Sequence, residues 1–291
     1  MPALLWGVAY VWIKVVYKYY GPFTTIFLRL SISATILLLI SAVFKKFERI
    51  RKEDYLLFFI FTIIDPLGYY ICESVGLTHI SALIGSIIIS TIPVFSAVLG
   101  CFILRERLTL INIFGALLSF AGIGIMIFKP DLSFAASPVG ILLMFGAVGC
   151  AIFYSLVVKK LSDRYNILTL ITIQNTCGAI YFLPLFLIFE YHKFLSIVPN
   201  FELVSNILLL AVLGSTLAYI IYVLILKEIG IGKTNMFINL IPVFTLIASY
   251  FILGDIITLK NLIGISIVIT GLYLSQIQGR KKSLIWWNPV G

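Results

Sequence analysis

The sequence predicts an all-α membrane protein: ten transmembrane helices arranged as two inverted-topology five-helix repeats around a central cavity. Three observations predict it. The first is composition: 61% of the 291 residues are hydrophobic, 11% are charged and the mean hydropathy is +1.12. Soluble domains run at about 45–50% apolar and about 25% charged. These values exclude an ordinary cytosolic enzyme, a disordered chain and a nucleic-acid-binding module. The second is a series of apolar runs of membrane-spanning length, and the third is an internal repeat.

A membrane helix needs about 20 mostly apolar residues. Ten runs qualify, at roughly 2–18, 23–44, 55–75, 80–104, 108–128, 138–158, 166–189, 203–226, 230–253 and 257–277. The first is short and has no basic lead-in and no clear cleavage site, which does not fit a signal peptide. Its Met1-Pro2 start is compatible with truncation of a slightly longer helix. The breaks carry the charge. Segment 45–54, Arg105–Arg107, Lys159–Arg164, Lys227–Lys233 and Arg280–Lys282 fall on one side if ten helices alternate, and hold 15 of the 21 Lys and Arg. Lys14, Lys18, Lys129, Lys193 and Lys260 fall on the other. The positive-inside rule then places both termini in the cytoplasm. It also explains the net charge of +9 without nucleic acid as a partner. Residues 280–291 form a basic cytoplasmic tail whose Trp286-Trp287 suits the headgroup layer. The Ile/Phe/Lys-rich composition and compact loops suit a bacterial inner membrane.

Shifted by 149, the sequence matches itself without gaps. IPVFSAVLGCFILRERLTLINIFG from Ile92 lies over IPVFTLIASYFILGDIITLKNLIG from Ile241. Pro93 pairs with Pro242, Glu106 with Asp255, Asn112 with Asn261, Gly115 with Gly264 and Gly122 with Gly271. A looser match at offset 145 sets Lys14 over Lys159, Tyr20 over Tyr165 and Arg29 over Gln174. The repeats occupy 1–130 and 138–279, with five helices each. Because five is odd, the second copy enters the membrane from the opposite side, the architecture of many secondary transporters. Duplication alone also produces such a pattern.

Several stretches resemble the EamA family of the drug/metabolite transporter superfamily over essentially the full chain. They are Trp6–Val15, Phe27–Leu30, Tyr69–Ile123 and Val223–Ser275. The pattern aliphatic–Pro–aliphatic, then Glu or Asp-x-hydrophobic-Thr, then a Gly-rich closing helix, occurs twice. Asp255 replaces the Glu of the first copy and keeps the charge. The resemblance implies two inverted five-helix halves around a central cavity, and the movement of small metabolites, amino acids among them. It does not indicate which metabolite.

Charged groups inside the runs are the strongest pointers to a site, since one at a helix centre costs about 2.5–3.5 kcal/mol on insertion scales. Asp65 lies midway along the third run, before Pro66. Glu73 lies eight residues on, about 80° past two full turns, so the two share no helix stripe. Arg29 lies at a depth similar to Glu73 on an antiparallel neighbour, and the two are expected to pair. That pair either locks two helices or serves function, with Glu73 coupling a proton or holding a substrate amine and Arg29 facing a carboxylate. The Glu73-to-Leu77 piece matches a form of the family motif. Pro93 and Pro242 are expected to kink runs four and nine and to free the carbonyls of Ile89 and Ile238. Ser90 and Asn239, each three residues earlier, either repair the kink locally or line the cavity. Gln174, Tyr219 and Tyr222 complete the expected substrate-binding set, with Tyr154, Asn175, Trp6 and Trp12 as further candidates. Anchoring at headgroup depth is the alternative for the aromatics. Gly115, Ser119, Gly122, Gly264 and Gly271 are read as close-packing positions.

No metal set and no catalytic nucleophile is visible, so no cofactor and no enzymatic activity are expected. Gly230–Thr234 ends like a phosphate loop but has Lys227 where a glycine is required. Cys72, Cys101, Cys150 and Cys177 sit in apolar runs and read as packed thiols. His79 and His192 read as solvent-facing. The expected partners are a small-molecule substrate, membrane lipid and, as coupling ion, the proton; the chain is expected to be a monomer or homodimer. The function that follows is secondary active transport by alternating access. The alternatives are an intramembrane enzyme, which lacks a catalytic cluster, and a lipid flippase, scramblase or channel, the last lacking a filter loop.

Overall fold

The computed structural model describes residues 1–96, 110–127 and 136–275. The readings placed on Cys101, Arg105, Glu106, Arg107, Lys129 and the tail 280–291 lie outside the described residues. Among the described residues, six helices are long and apolar enough to cross a membrane and four more are shorter and apolar. We label them α1 (Pro2–Tyr17), α2 (Pro22–Val43), α3 (Lys52–His79), α4 (Ala82–Ser96) and α5 (Leu110–Ile127). Then follow α6 (Pro138–Ser162), α7 (Ile167–Phe189), α8 (Phe201–Ile229), α9 (Ile231–Leu253) and α10 (Leu259–Ser275). A short helix, Tyr191–Ser196, was not anticipated and sits between α7 and α8.

Local chemistry sets the ends. Pro22 and Pro138 start α2 and α6, where the missing N–H would be unpaired anyway. Ser81, Asn166 and Asn200 accept hydrogen bonds from the first-turn amides of Ile84, Leu168 and Leu203. Gly230 and Gly254 end α8 and α9 at φ +82° and +72°, the left-handed region that favours glycine.

Four helices are irregular inside the apolar layer. α3 opens into a wide turn over Ile63–Gly68, with Asp65 extended at φ −141°, ψ 114°. α8 opens likewise over Leu210–Leu217. These turns occupy repeat-equivalent positions: 63–68 shifted by 149 is 212–217. α9 breaks at a 3-10 turn, Phe237–Leu240, and restarts with Pro242 in its first turn. α4 loosens at Ser90 and Thr91, just before Pro93.

Packing between the two halves is reciprocal. α1 lies on α8 and α9 as α6 lies on α3 and α4, and α2 packs on α7, α4 on α9 and α5 on α10. α5 and α10 run antiparallel in close contact. A Cβ on Gly115 would fall 2.6 Å from Gly271 O, and one on Gly122 2.9 Å from Gly264 O. α2 and α7 also run antiparallel: Phe27 stacks on Phe186 at 4.9 Å while Ser41 hydrogen-bonds Thr172 at 3.2 Å. At one end of this pair Glu190 accepts from the amide and hydroxyl of Thr24; at the other Thr169 donates to Lys46 O and accepts from the Glu48 amide.

Gly271→Ala is expected to destabilise the folded protein by about 1–3 kcal/mol, since its Cβ meets the Ser119 amide nitrogen at 2.4 Å and backbone has no room to yield. Gly124→Ala, whose Cβ meets nothing within 4 Å, is the control. Thermal unfolding in detergent checks both, and equal midpoints would contradict the close packing.

Candidate functional site

The wide turn in α3 places Asp65 and Glu73 on one cavity. An ideal helix would separate the two by about 80°; the extended backbone at Asp65 breaks the helix between them and removes that separation. Arg29 from α2 lines the same space. All three side chains are buried, at 3%, 2% and 5% exposure for Arg29, Asp65 and Glu73.

The expected pairing of Arg29 with Glu73 is not what forms. Arg29 Nε donates to Ser215 Oγ at 2.9 Å and Nη2 to Tyr70 OH at 3.1 Å, with the guanidinium 4.5 Å above the Tyr70 ring. Nη1 has no hydrogen-bond partner among the described residues. Glu73 Oε1 instead accepts from Tyr10 OH at 2.9 Å and Tyr69 OH at 2.7 Å. The physical reason is that the tyrosines stand closer and satisfy both charges with neutral groups, which hold a buried ion by hydrogen bonding as well as by ring electrostatics. Asp65 Oδ1 accepts from Gln174 Nε2 at 2.6 Å and Oδ2 from Tyr219 OH at 3.1 Å. Among the described residues neither acid is in an ion pair; the three ion pairs there are Lys18–Glu202, Lys159–Asp163 and Arg164–Asp54.

The bonds join into one chain. Arg29 donates to Tyr70, Tyr70 to Tyr219 at 3.3 Å, and Tyr219 to Asp65. From the other side Tyr154 donates to Gln174 Oε1 at 3.1 Å, and Gln174 to Asp65. Each wide turn is thus held from the opposite repeat: Gln174 on α7 binds the α3 turn, and its repeat equivalent, Arg29 on α2, binds Ser215 in the α8 turn. The open turn of α8 also presents Gly214 O, which accepts from Trp6 Nε1 at 3.3 Å. Aromatic rings form much of the wall. Trp6 meets Tyr219 at 5.4 Å and Tyr222 at 5.3 Å, and Tyr154 meets Tyr219 at 6.1 Å.

The other expected residues divide. Tyr219, Tyr222, Tyr154 and Trp6 line the cavity, and Gln174 stands behind Asp65. Ser90 and Asn239 do not line it. Ser90 is fully buried and its hydroxyl donates to Ile87 O in its own helix, so it repairs the backbone locally. Asn239 is buried with Oδ1 unpartnered among the described residues. Ile89, Ile92, Ile238 and Ile241 face the cavity at these levels instead. Asn175 donates to Ile171 O, and Trp12 lies in the core. Cys72, Cys150 and Cys177 are free thiols, half-buried; His79 and His192 are exposed. Tyr10, Tyr69 and Tyr70 were missed. The available signal was spacing: Tyr69 and Tyr70 precede Glu73 by four and three residues, and Trp6, Tyr10 and Ile13 recur at helical intervals on one face.

The chain matches the EamA-like transporter family twice, over residues 1–128 and 138–276. An uncharacterized transporter of Archaeoglobus fulgidus is 27% identical over 92% of this chain and 94% of its own. The uncharacterized transporter YetK of Bacillus subtilis is 26% identical over 86% of this chain and 76% of its own. A solved structure titled only as the crystal structure of a protein superposes with a TM-score of 0.71 at 15% identity, covering 94% of both chains. It shares the fold.

Gln174→Leu strands Asp65 Oδ1 and is expected to cost about 1–3 kcal/mol of stability. In an Asp65→Leu background, where the acceptor is gone, the same change is expected to cost less. A double-mutant cycle on thermal unfolding measures the difference; additive losses would show that this hydrogen bond contributes nothing.

Proposed function

The chain belongs to the EamA-like transporter family, and from that premise we propose that it is a secondary carrier for small metabolites such as amino acids, working by alternating access between two inverted five-helix halves. The observation that carries the reading is one buried cavity bearing both signs of charge, lined from both halves, in a bundle whose contacts exchange under the repeat. Helix pairs α2–α7 and α5–α10 run antiparallel with reciprocal contacts, as a two-fold axis in the membrane plane requires. The twofold match to one family supports the same division of the chain.

Charge supports the substrate class. A zwitterion offers an ammonium to Glu73 or Asp65, whose hydrogen bonds come only from neutral groups among the described residues. It offers a carboxylate to Arg29, whose Nη1 is unpartnered there. Rings of Trp6, Tyr154, Tyr219 and Tyr222 suit an apolar or planar body. Proton coupling through Glu73 or Asp65 extends the reading, since protonation would remove the charge that an empty site has to bury. The distribution of Lys and Arg supports a bacterial cytoplasmic membrane with both termini cytoplasmic. Neither nucleic acid nor a cofactor has a role in this reading, and the carrier acts as a monomer or homodimer among lipids.

Counterflow in proteoliposomes tests it. Protein preloaded with amino acids, purines, nucleosides or organic acids is expected to exchange one class saturably with label. Glu73→Gln and Arg29→Gln are each expected to lower that exchange about tenfold or more, the loss of one charged hydrogen bond, while eluting as folded protein. Absence of exchange across the panel by folded, inserted protein would overturn the metabolite-carrier reading.

A further inference from the structure

Lys14 on α1 and Lys159 on α6 are repeat equivalents, and each reaches the last carbonyls of a cavity-lining helix. Lys14 Nζ donates to Leu77 O and Ile80 O, at the α3–α4 hairpin. Lys159 Nζ points at Lys227 O, at the α8–α9 hairpin. Leu77 shifted by 149 is Leu226, so the lysines address matching ends. A cation at a helix C-terminus is held by carbonyls that lack an intrahelical partner.

The two contacts differ in strength. Lys14 is half-buried and holds two carbonyls, Ile80 O at 2.5 Å. Lys159 lies 3.4 Å from its single carbonyl and is bound to Asp163 at 2.9 Å. Their surroundings differ in the same sense. At the α3–α4 end Tyr17 OH donates to Ser74 O at 3.0 Å, and a Cβ on Gly140 would lie 2.6 Å from Ile80 Cγ2 and 2.9 Å from His79 Cβ. At the α8–α9 end a Cβ on Gly230 or Gly232 would meet nothing within 4 Å. A second cavity lies between Met1–Ala3 at the start of α1 and Ile225, Thr234 and Phe237 of the α8–α9 hairpin, and shares Trp6, Tyr222 and Ile238 with the central one.

We propose that Lys14 and Lys159 are a matched pair of latches, each closing one mouth of the cavity by docking a helical hairpin through its terminal carbonyls. In this structure the Lys14 latch is the tighter of the two and the Lys159 latch is held by one long bond, so the α8–α9 mouth is the one the proposal expects to open first. Moving the opening to the other face requires the two latches to exchange states. This rests on the carrier reading for its purpose, but its geometry is testable without any substrate.

The test uses a cysteine-free protein carrying Ala151→Cys, a small residue on the cavity wall, in sealed proteoliposomes of known orientation. A membrane-impermeant maleimide is applied from one face at a time. The parent is expected to label from the α8–α9 face. Lys14→Met is expected to raise labelling from the α3–α4 face about fivefold or more, and Lys14→Arg, which keeps the charge, to restore the parent pattern. Lys159→Met is expected to keep the parent pattern and, where a substrate is known, to slow exchange, because the second mouth no longer closes. If Lys14→Met elutes as folded protein and labels as the parent does, the latch is overturned. If Lys14→Met is unfolded, Tyr17→Phe, which removes the neighbouring bond to Ser74 O, is expected to shift labelling in the same direction; no shift there overturns the proposal equally. Two-sided labelling that responds as expected, in a protein that exchanges nothing, would keep the latches and reject the carrier.

Discussion

Three ionisable side chains placed where water is scarce constrain the rest of this bundle. Arg29, Asp65 and Glu73 each lie at 5% exposure or less. Charge at that depth persists only where polar groups surround it. The supply comes from tyrosine, glutamine and serine on α1, α3, α7 and α8, and one continuous run of bonds links the guanidinium to the Asp65 carboxylate. Neither irregular turn is incidental to this. The α3 turn brings Asp65 to the cavity, and the α8 turn exposes Gly214 O and Ser215 to α1 and α2. In an apolar layer, open backbone survives only where protein or a wet cavity satisfies it, and here the satisfying groups come from the other repeat.

Reciprocity between the repeats explains why the site is central. Under a two-fold exchange, any feature off the axis appears twice, and only features on it are shared. Gln174 supports the α3 turn as Arg29 supports the α8 turn, yet one is neutral and the other charged. The same positions thus yield an asymmetric pair, a neutral donor for the acid and a cation with no acid partner. The clasps at the two faces diverge in a similar way. Asp54, 3% exposed, binds Arg164 at 2.6 Å and Tyr165 at 2.7 Å, whereas Glu202 is exposed and binds Tyr19 at 2.6 Å with Lys18 at 3.8 Å. Matched positions recur in the two halves, and the residue at each sets how firmly it is held.

Much of this was legible in the residues. Among the described residues the apolar runs located the helices to within a few positions, because length and hydropathy are properties of one segment. Arg29, Asp65 and Glu73 stood out for the same reason, as charges where charge is costly. What was not legible depended on two segments at once. The relation of Asp65 to Glu73 was computed on an ideal helix, and the wide turn at Ile63–Gly68 voids that geometry. Arg29 and Glu73 were matched by depth, but depth ignores the tyrosines that hydrogen-bond each of them. Ser90 and Asn239 were matched by position before a proline, yet Ser90 turns to its own helix. Tyr10, Tyr69 and Tyr70 were hidden by abundance, among 15 tyrosines in an aromatic-rich chain. Only their spacing from Glu73 distinguished them.

Under the proposed carrier reading, why neutral donors should partner the acids follows from what such a site has to do. A lysine or arginine bonded to Glu73 would cancel its charge and lock it, since breaking a buried ion pair costs several kcal/mol. Tyrosine hydroxyls lower the cost of burial while leaving the net charge in place, and each is given up for about 1.5–3 kcal/mol, less than a buried ion pair costs to break. The carboxyl group is then held by hydrogen bonds weak enough to yield to a better partner. The same logic applies to Arg29, held by a hydroxyl, a phenol and a ring face in place of a carboxylate. A site built this way binds through a small difference between two sets of interactions, and such a difference is what allows a ligand both to arrive and to leave.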